Sequence, residues 1–212
     1  MALFREHLSV GAVAALALVA TLYFSALLTD PLLLGILFFV SVVASFAPDL
    51  DSDESIPFRI LFGAFTIGVT WVTFEHALTY FRGDLPLLIG VPSAAFLLTW
   101  FGLGFLFKAY TRHRGMFHSV PAAVIVALAT HLLARSYLTD ESTTWLFALG
   151  AGLGYLTHLT LDELYATRTL SGNPFTPKRS LGTALKFASR SRWRTLLSYL
   201  ILAALVARIL VT

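Results

Sequence analysis

The chain has no cysteine among its 212 residues. That removes thiolate metal sites, disulfides and cysteine nucleophiles, and leaves His and carboxylate as its metal-ligand chemistry. Charge is scarce as well: 13% of residues are Asp, Glu, Lys or Arg, against 57% that are hydrophobic. No Gly-x-Ser-x-Gly nucleophile elbow and no Walker phosphate loop occurs, and the Gly102 and Gly104 pair is too small a match to signal a nucleotide. Neither the alternating pattern of a membrane barrel nor an internal repeat or low-complexity tract is visible.

What remains is a sequence dominated by long apolar runs. The mean hydropathy is +0.78. Seven runs, at roughly 8–28, 32–47, 58–80, 85–107, 117–134, 145–165 and 193–211, follow one another with little between them. Most are long enough to cross about 30 Å of hydrocarbon, the second and fifth being short. A segment facing lipid must satisfy its own backbone hydrogen bonds, so helices are expected. The first run is too long for the apolar part of a signal peptide, and Leu28-Thr29-Asp30-Pro31 is no cleavage site. The pattern predicts an all-α, polytopic transmembrane bundle of about seven spans, with residues 1–212 forming one integral membrane domain.

Seven spans place alternate loops on opposite sides. Twelve of the 15 Lys and Arg residues then fall on the side of the N-terminus, while Arg82, Arg135 and Arg208 fall on the other. Such a bias marks the cytoplasmic side, so the N-terminus is predicted to be cytoplasmic and the protein to be multi-pass in the inner or plasma membrane. The pI near 9.4 follows from this topology, and no nucleic acid partner is expected. Residues 166–192 form the one long loop, basic and cytoplasmic, with turn signals at Gly172-Asn173-Pro174 and Thr176-Pro177. Its end, Leu181 to Arg194, reads as a positive-inside anchor for the last helix. A basic amphipathic segment lying on the membrane is the alternative.

Ionisable side chains are costly at membrane depth and persist mainly where they act. Seven of them sit at the cytoplasmic ends of the predicted spans: His7, Asp49, Asp51, His113, His118, His158 and Asp162. Asp49 and Asp51 lie two apart on an acidic turn after Pro48, where both could face one cation. Asp53 and Glu54 read instead as caps of the next helix. His113 and His118 flank Gly115, at a spacing that suits a bend turning both imidazoles to one point. Arg112 and Arg114 in the same stretch could clamp an anion through two-pronged hydrogen bonding. His158 and Asp162 are four apart within a helix and share a face, as a bidentate ligand pair or as a His oriented by an Asp. His7 fits a ligand or an interfacial residue equally well. Glu75, His76 and His131 fall toward the other side and read as packing or interfacial residues.

Taken together these motifs resemble the YdjM-type family of membrane-bound, metal-dependent hydrolases. Its members show an N-terminal His, a Pro-Asp-x-Asp turn, a His-Arg-Gly-x-x-His-Ser block and a Gly-Tyr-x-x-His-x-x-x-Asp helix. Here those are His7, Pro48-Asp49-Leu50-Asp51, His113-Arg114-Gly115-Met116-Phe117-His118-Ser119, and Gly154-Tyr155-Leu156-Thr157-His158 with Asp162. Members often carry His after the second Asp, where this chain has Ser52. A more remote likeness, carried by the His158–Asp162 spacing, is to zinc-dependent phospholipase C and the P1-type nucleases, and it turns the expectation toward phosphoester bonds.

The resulting expectation is a membrane-embedded hydrolase at the cytoplasmic face, cleaving a phosphoester of a lipid or other amphiphile by a metal-activated water. His7, Asp51, His113, His118, His158 and Asp162 are the candidate ligands of a divalent ion: Zn2+ first, Mn2+ or Mg2+ otherwise. Asp49 is the candidate general base, with Arg112 and Arg114 holding the anionic group. Membrane lipids are the expected partners. Two other classes stay open. One is an ion or metal transporter using intramembrane His and Asp. The other is a membrane scaffold with a structural metal.

Overall fold

Helix starts in this chain are written in short polar signals before apolar runs, and the computed structural model follows them. It describes residues 4–51, 56–110, 115–167, 181–189 and 191–211. All regular structure among the described residues is helical. The elements are α1 (Phe4–Phe24), α2 (Pro31–Ala44), α3 (Ile56–Tyr80), α4 (Leu85–Leu97), α5 (Gly104–Tyr110), α6 (Val120–Arg135), α7 (Glu141–Ala166) and α8 (Arg192–Val211). A 3-10 turn spans Ala47–Asp51. Asp30, Asp84, Ser119 and Asp140 cap α2, α4, α6 and α7 by accepting from backbone N–H groups of the first turn, and a proline opens three of those helices. Proline costs nothing there, because its missing N–H would have had no partner.

A π turn, Leu98–Leu103, joins α4 to α5, so the stretch 85–110 is one continuous rod. The rods therefore correspond to the seven apolar runs. Among the described residues, four stretches are long and apolar enough to cross a membrane: Phe4–Phe24, Phe58–Tyr80, Leu85–Phe107 and Arg192–Val211. The apolar helices α2 and α6 are shorter. At 1.5 Å per residue they reach about 21 and about 24 Å, less than the roughly 30 Å of a hydrocarbon core. Residues 181–189 form turns rather than a helix.

The helices pack as two compact units, one from residues 1–48 and 114–212, the other from 49–113. In the second, α3 packs against α4, and Phe58, Phe62, Trp100 and Phe107 form a run of ring contacts. In the first, α7 is the central rod. It packs on α6, α2 and α1, while α8 lies against α6. Small residues allow this. A Cβ on Gly154 would lie 2.1 Å from the Ser41 carbonyl oxygen, and one on Gly150 would lie 2.6 Å from Leu37 Cδ1 and from Ser41 Oγ. Likewise a Cβ on Gly11 would lie 2.0 Å from Ser45 Oγ, so α1 lies flush on the end of α2. Helices in a membrane gain little from apolar burial against one another, and such backbone-level contact is what holds them. Leu22, Leu28, Leu34, Leu37 and Phe147 fill one end of this unit.

Candidate metal centre

Three parts of the first unit bring polar side chains to one buried point. On α7, His158 and Asp162 are one turn apart and share a face. On α1, His7 lies one turn before Gly11, on the side where α1 touches the end of α2. The third part is the bend 115–119 before α6, which presents His118. The Ser119 hydroxyl donates to the Met116 carbonyl, and its oxygen accepts from Ala122 N at 3.4 Å, starting α6. Tyr155, one turn before His158, donates its hydroxyl to the Phe117 carbonyl at 2.5 Å and so ties the bend to α7.

His7, His118, His158 and Asp162 are each at most 2% exposed. His7 Nε2 lies 3.5 Å from Asp162 Oδ1, and His118 Nε2 lies 3.8 Å from Asp162 Oδ2. The His7 and His158 rings stack with centroids 3.7 Å apart and planes 12° from parallel. The His118 ring meets that of His158 edge-on at 5.5 Å. One ligand atom each from His7, His158 and Asp162 fall within 4.8 Å of one another.

These spacings favour ligands around an ion over direct hydrogen bonds. A charge-assisted N–H to carboxylate bond is about 2.7–2.9 Å long. Two ligand atoms each about 2.0–2.1 Å from a tetrahedral ion stand roughly 3.3 Å apart. The observed 3.5 and 3.8 Å lie closer to the second. The buried His7 Nδ1 has no hydrogen-bond partner among the described residues. A buried carboxylate facing three imidazoles is expensive at membrane depth unless a cation balances it. The donor set therefore fits a divalent ion, and buried His and Asp groups that could hold one are present.

Asp49 is half-buried in the 3-10 turn, where the second unit begins. The Asp51 side chain lies outside the described residues, as do Arg112, His113 and Arg114. His131 is buried but belongs to a separate contact: its Nδ1 is 3.0 Å from Thr144 Oγ1, and its ring stacks on Trp145 at 3.9 Å. Glu75 and His76 are exposed on α3.

Two features escaped the residue pattern. The Ser45 carbonyl accepts a hydrogen bond from His158 Nδ1 at 2.9 Å, and a backbone acceptor leaves no mark in a sequence. Glu163, beside Asp162, accepts from Gly182 N and, at 3.2 Å, from Ala184 N, and the Lys186 carbonyl accepts from Val120 N at 3.0 Å. These bonds strap 181–189 across the start of α6, with Ala184 packed beside Ala123, Tyr155 and Leu159. Neither the Ser45 acceptor nor the contacts that Gly11 and Gly154 make had a signal in the sequence. For Glu163 there was none either.

A family model described as "YdjM inner membrane protein" matches residues 1–212. No curated protein matches the chain, and neither does any solved structure, so the likeness to phospholipase C and the P1-type nucleases gains no support there. The chain belongs to the YdjM inner membrane protein family, and with its apolar helices it is a membrane protein.

Proposed function

For this member of an inner membrane family, we propose a metal-dependent hydrolase that acts at the cytoplasmic membrane face on a phosphoester of a lipid or other amphiphile. The observation that carries the reading is the buried set His7, His118, His158 and Asp162, with nitrogen–oxygen separations of 3.5 and 3.8 Å. In this reading the four residues hold the ion, Zn2+ best matching a nitrogen-rich borderline donor set, with Mn2+ or Mg2+ as substitutes. When bound, such an ion supplies a water of lowered pKa and a Lewis acid for the bond to be cut. Asp49 takes up the proton of the attacking water as general base. Arg112 and Arg114 orient the anionic group by paired hydrogen bonds. The Lys and Arg bias supports a cytoplasmic position for this end of the helices, at headgroup level, where an amphiphile's polar part would be within reach.

The transporter reading draws less support. His131 is held by Thr144 and Trp145 in a contact of its own, apart from the cluster. The deciding experiment is metal analysis of protein purified without chelator, followed by phosphate or headgroup release from anionic lipid vesicles. About one divalent ion per chain, lost in His118→Ala and His158→Ala, supports the reading. Metal-free protein whose melting temperature ignores added Zn2+ ends it.

A further inference from the structure

We propose that the main-chain carbonyl of Ser45 is a positioning group for the metal centre: it fixes His158 as the Nδ1–H tautomer and thereby makes Nε2 the ligand atom. The inference rests on the metal-centre reading for the word ligand, but its hydrogen-bond argument stands on the contact alone. A carbonyl oxygen can only accept, so the 2.9 Å contact requires the proton on His158 Nδ1. A neutral imidazole carries one such proton, and the lone pair then sits on Nε2.

Two further observations explain why Ser45 has an acceptor to give. Helix α2 ends at Ala44, so the carbonyls that follow lack helical partners. The 3-10 turn that follows begins only at Ala47, and a tight turn started at Ser45 would need an N–H on the residue three ahead to bond its carbonyl. That residue is Pro48, which has no N–H and is fully buried. The proline of the Pro-Asp-x-Asp turn thus keeps the acceptor available for His158. Glycines bring the partners within reach. Gly154, one turn before His158, rests on the Ser41 carbonyl, one turn before Ser45. Gly11, one turn after His7, rests on Ser45 itself. Ser45 is fully buried, and its hydroxyl donates to the Val42 carbonyl at 2.7 Å. One residue at the end of α2 therefore sets the distance to both His7 and His158.

The test is 15N NMR of histidine-labelled full-length protein in lipid nanodiscs, first without metal and then with Zn2+. Metal-free wild type should show His158 predominantly as Nδ1–H, and Zn2+ should move its Nε2 resonance while Nδ1 keeps the proton. Pro48→Ala introduces an N–H that competes for the Ser45 carbonyl, and should lower the Nδ1–H fraction and weaken Zn2+ binding roughly 10- to 100-fold, the range for groups that orient a metal-ligating histidine. Gly154→Ala should do the same by pushing α7 away from α2. If either variant does not fold, the wild-type spectrum still decides. A metal-free His158 that is mainly Nε2–H overturns the Ser45 assignment whatever the metal does. An Nδ1–H ring in protein that takes up no Zn2+ overturns the metal reading while upholding the Ser45 hydrogen bond.

Discussion

At the scale of single residues, the proposed function assigns some groups to the ion and others to the substrate. Asp162→Asn keeps the size of the side chain and removes the one negative charge among the four buried groups. Zn2+ affinity should fall by at least the roughly 100-fold seen at the upper end for supporting residues, and turnover should collapse with it. Arg114→Lys keeps its charge but loses the planar fork, so it should raise KM for an anionic substrate and leave kcat near the wild-type value. Unchanged turnover in Asp162→Asn would remove α7 from the chemistry. Tyr155→Phe probes support rather than ligation. It deletes the 2.5 Å hydrogen bond to the Phe117 carbonyl and should cost about 1–2 kcal/mol, measured by chemical denaturation. The loosened bend should weaken Zn2+ binding through His118 while the His158 tautomer stays as it was.

Among elements, α7 decides most, and its first turn offers a pH test away from the centre. Asp140 caps α7 by accepting from the Thr143 hydroxyl at 2.5 Å, the Ser142 hydroxyl at 2.7 Å and Thr143 N at 3.0 Å. These bonds, Thr143 foremost, favour the carboxylate and pull its pKa from 3.8 down to about 2. A carboxyl depressed by folding adds stability above its unfolded pKa and loses it as pH falls through the folded one. The melting temperature of the wild type should therefore drop between about pH 4 and pH 2, and Asp140→Asn should flatten that part of the profile. An identical acid limb in both proteins would exclude Asp140 as the cause. Element boundaries also show what sequence patterning can reach. The apolar runs locate every rod, but they begin where polarity ends, at 8 and 145, whereas α1 and α7 begin at Phe4 and Glu141. Polar residues enter α1 because a helix continues through them when one face, here that of His7, is buried. The π turn at Leu98–Leu103 has no signature in an unbroken apolar run.

For the molecule as a whole, the absence of cysteine is an experimental asset. A cysteine at Ser52 or Ser171 should be labelled by an impermeant maleimide only from the cytoplasm, and one at Ser142 only from outside. Labelling of 52 and 171 from opposite sides would break the seven-span topology. The cluster itself was legible as residue types. Charge bias and span counting, which made no use of the histidines, placed His7, His118, His158 and Asp162 at the same helix ends, and the fold brings them together. What stayed illegible was carried by backbone: the Ser45 acceptor, the flush contacts of Gly11 and Gly154, and the Glu163 clasp on 181–189. Side-chain patterns report periodicity and chemistry, whereas a carbonyl is present at every position.

The separation of the clustered residues along the chain has a consequence in time. His7 and Asp162 are adjacent in space but 155 residues apart in sequence. At about 5–20 residues per second, translation leaves roughly 8–30 s between their syntheses. For most of that interval α1 and α2 are already made, with an imidazole and a carbonyl waiting for a helix not yet made. The cluster can therefore close only late in biogenesis, once α7 has been made.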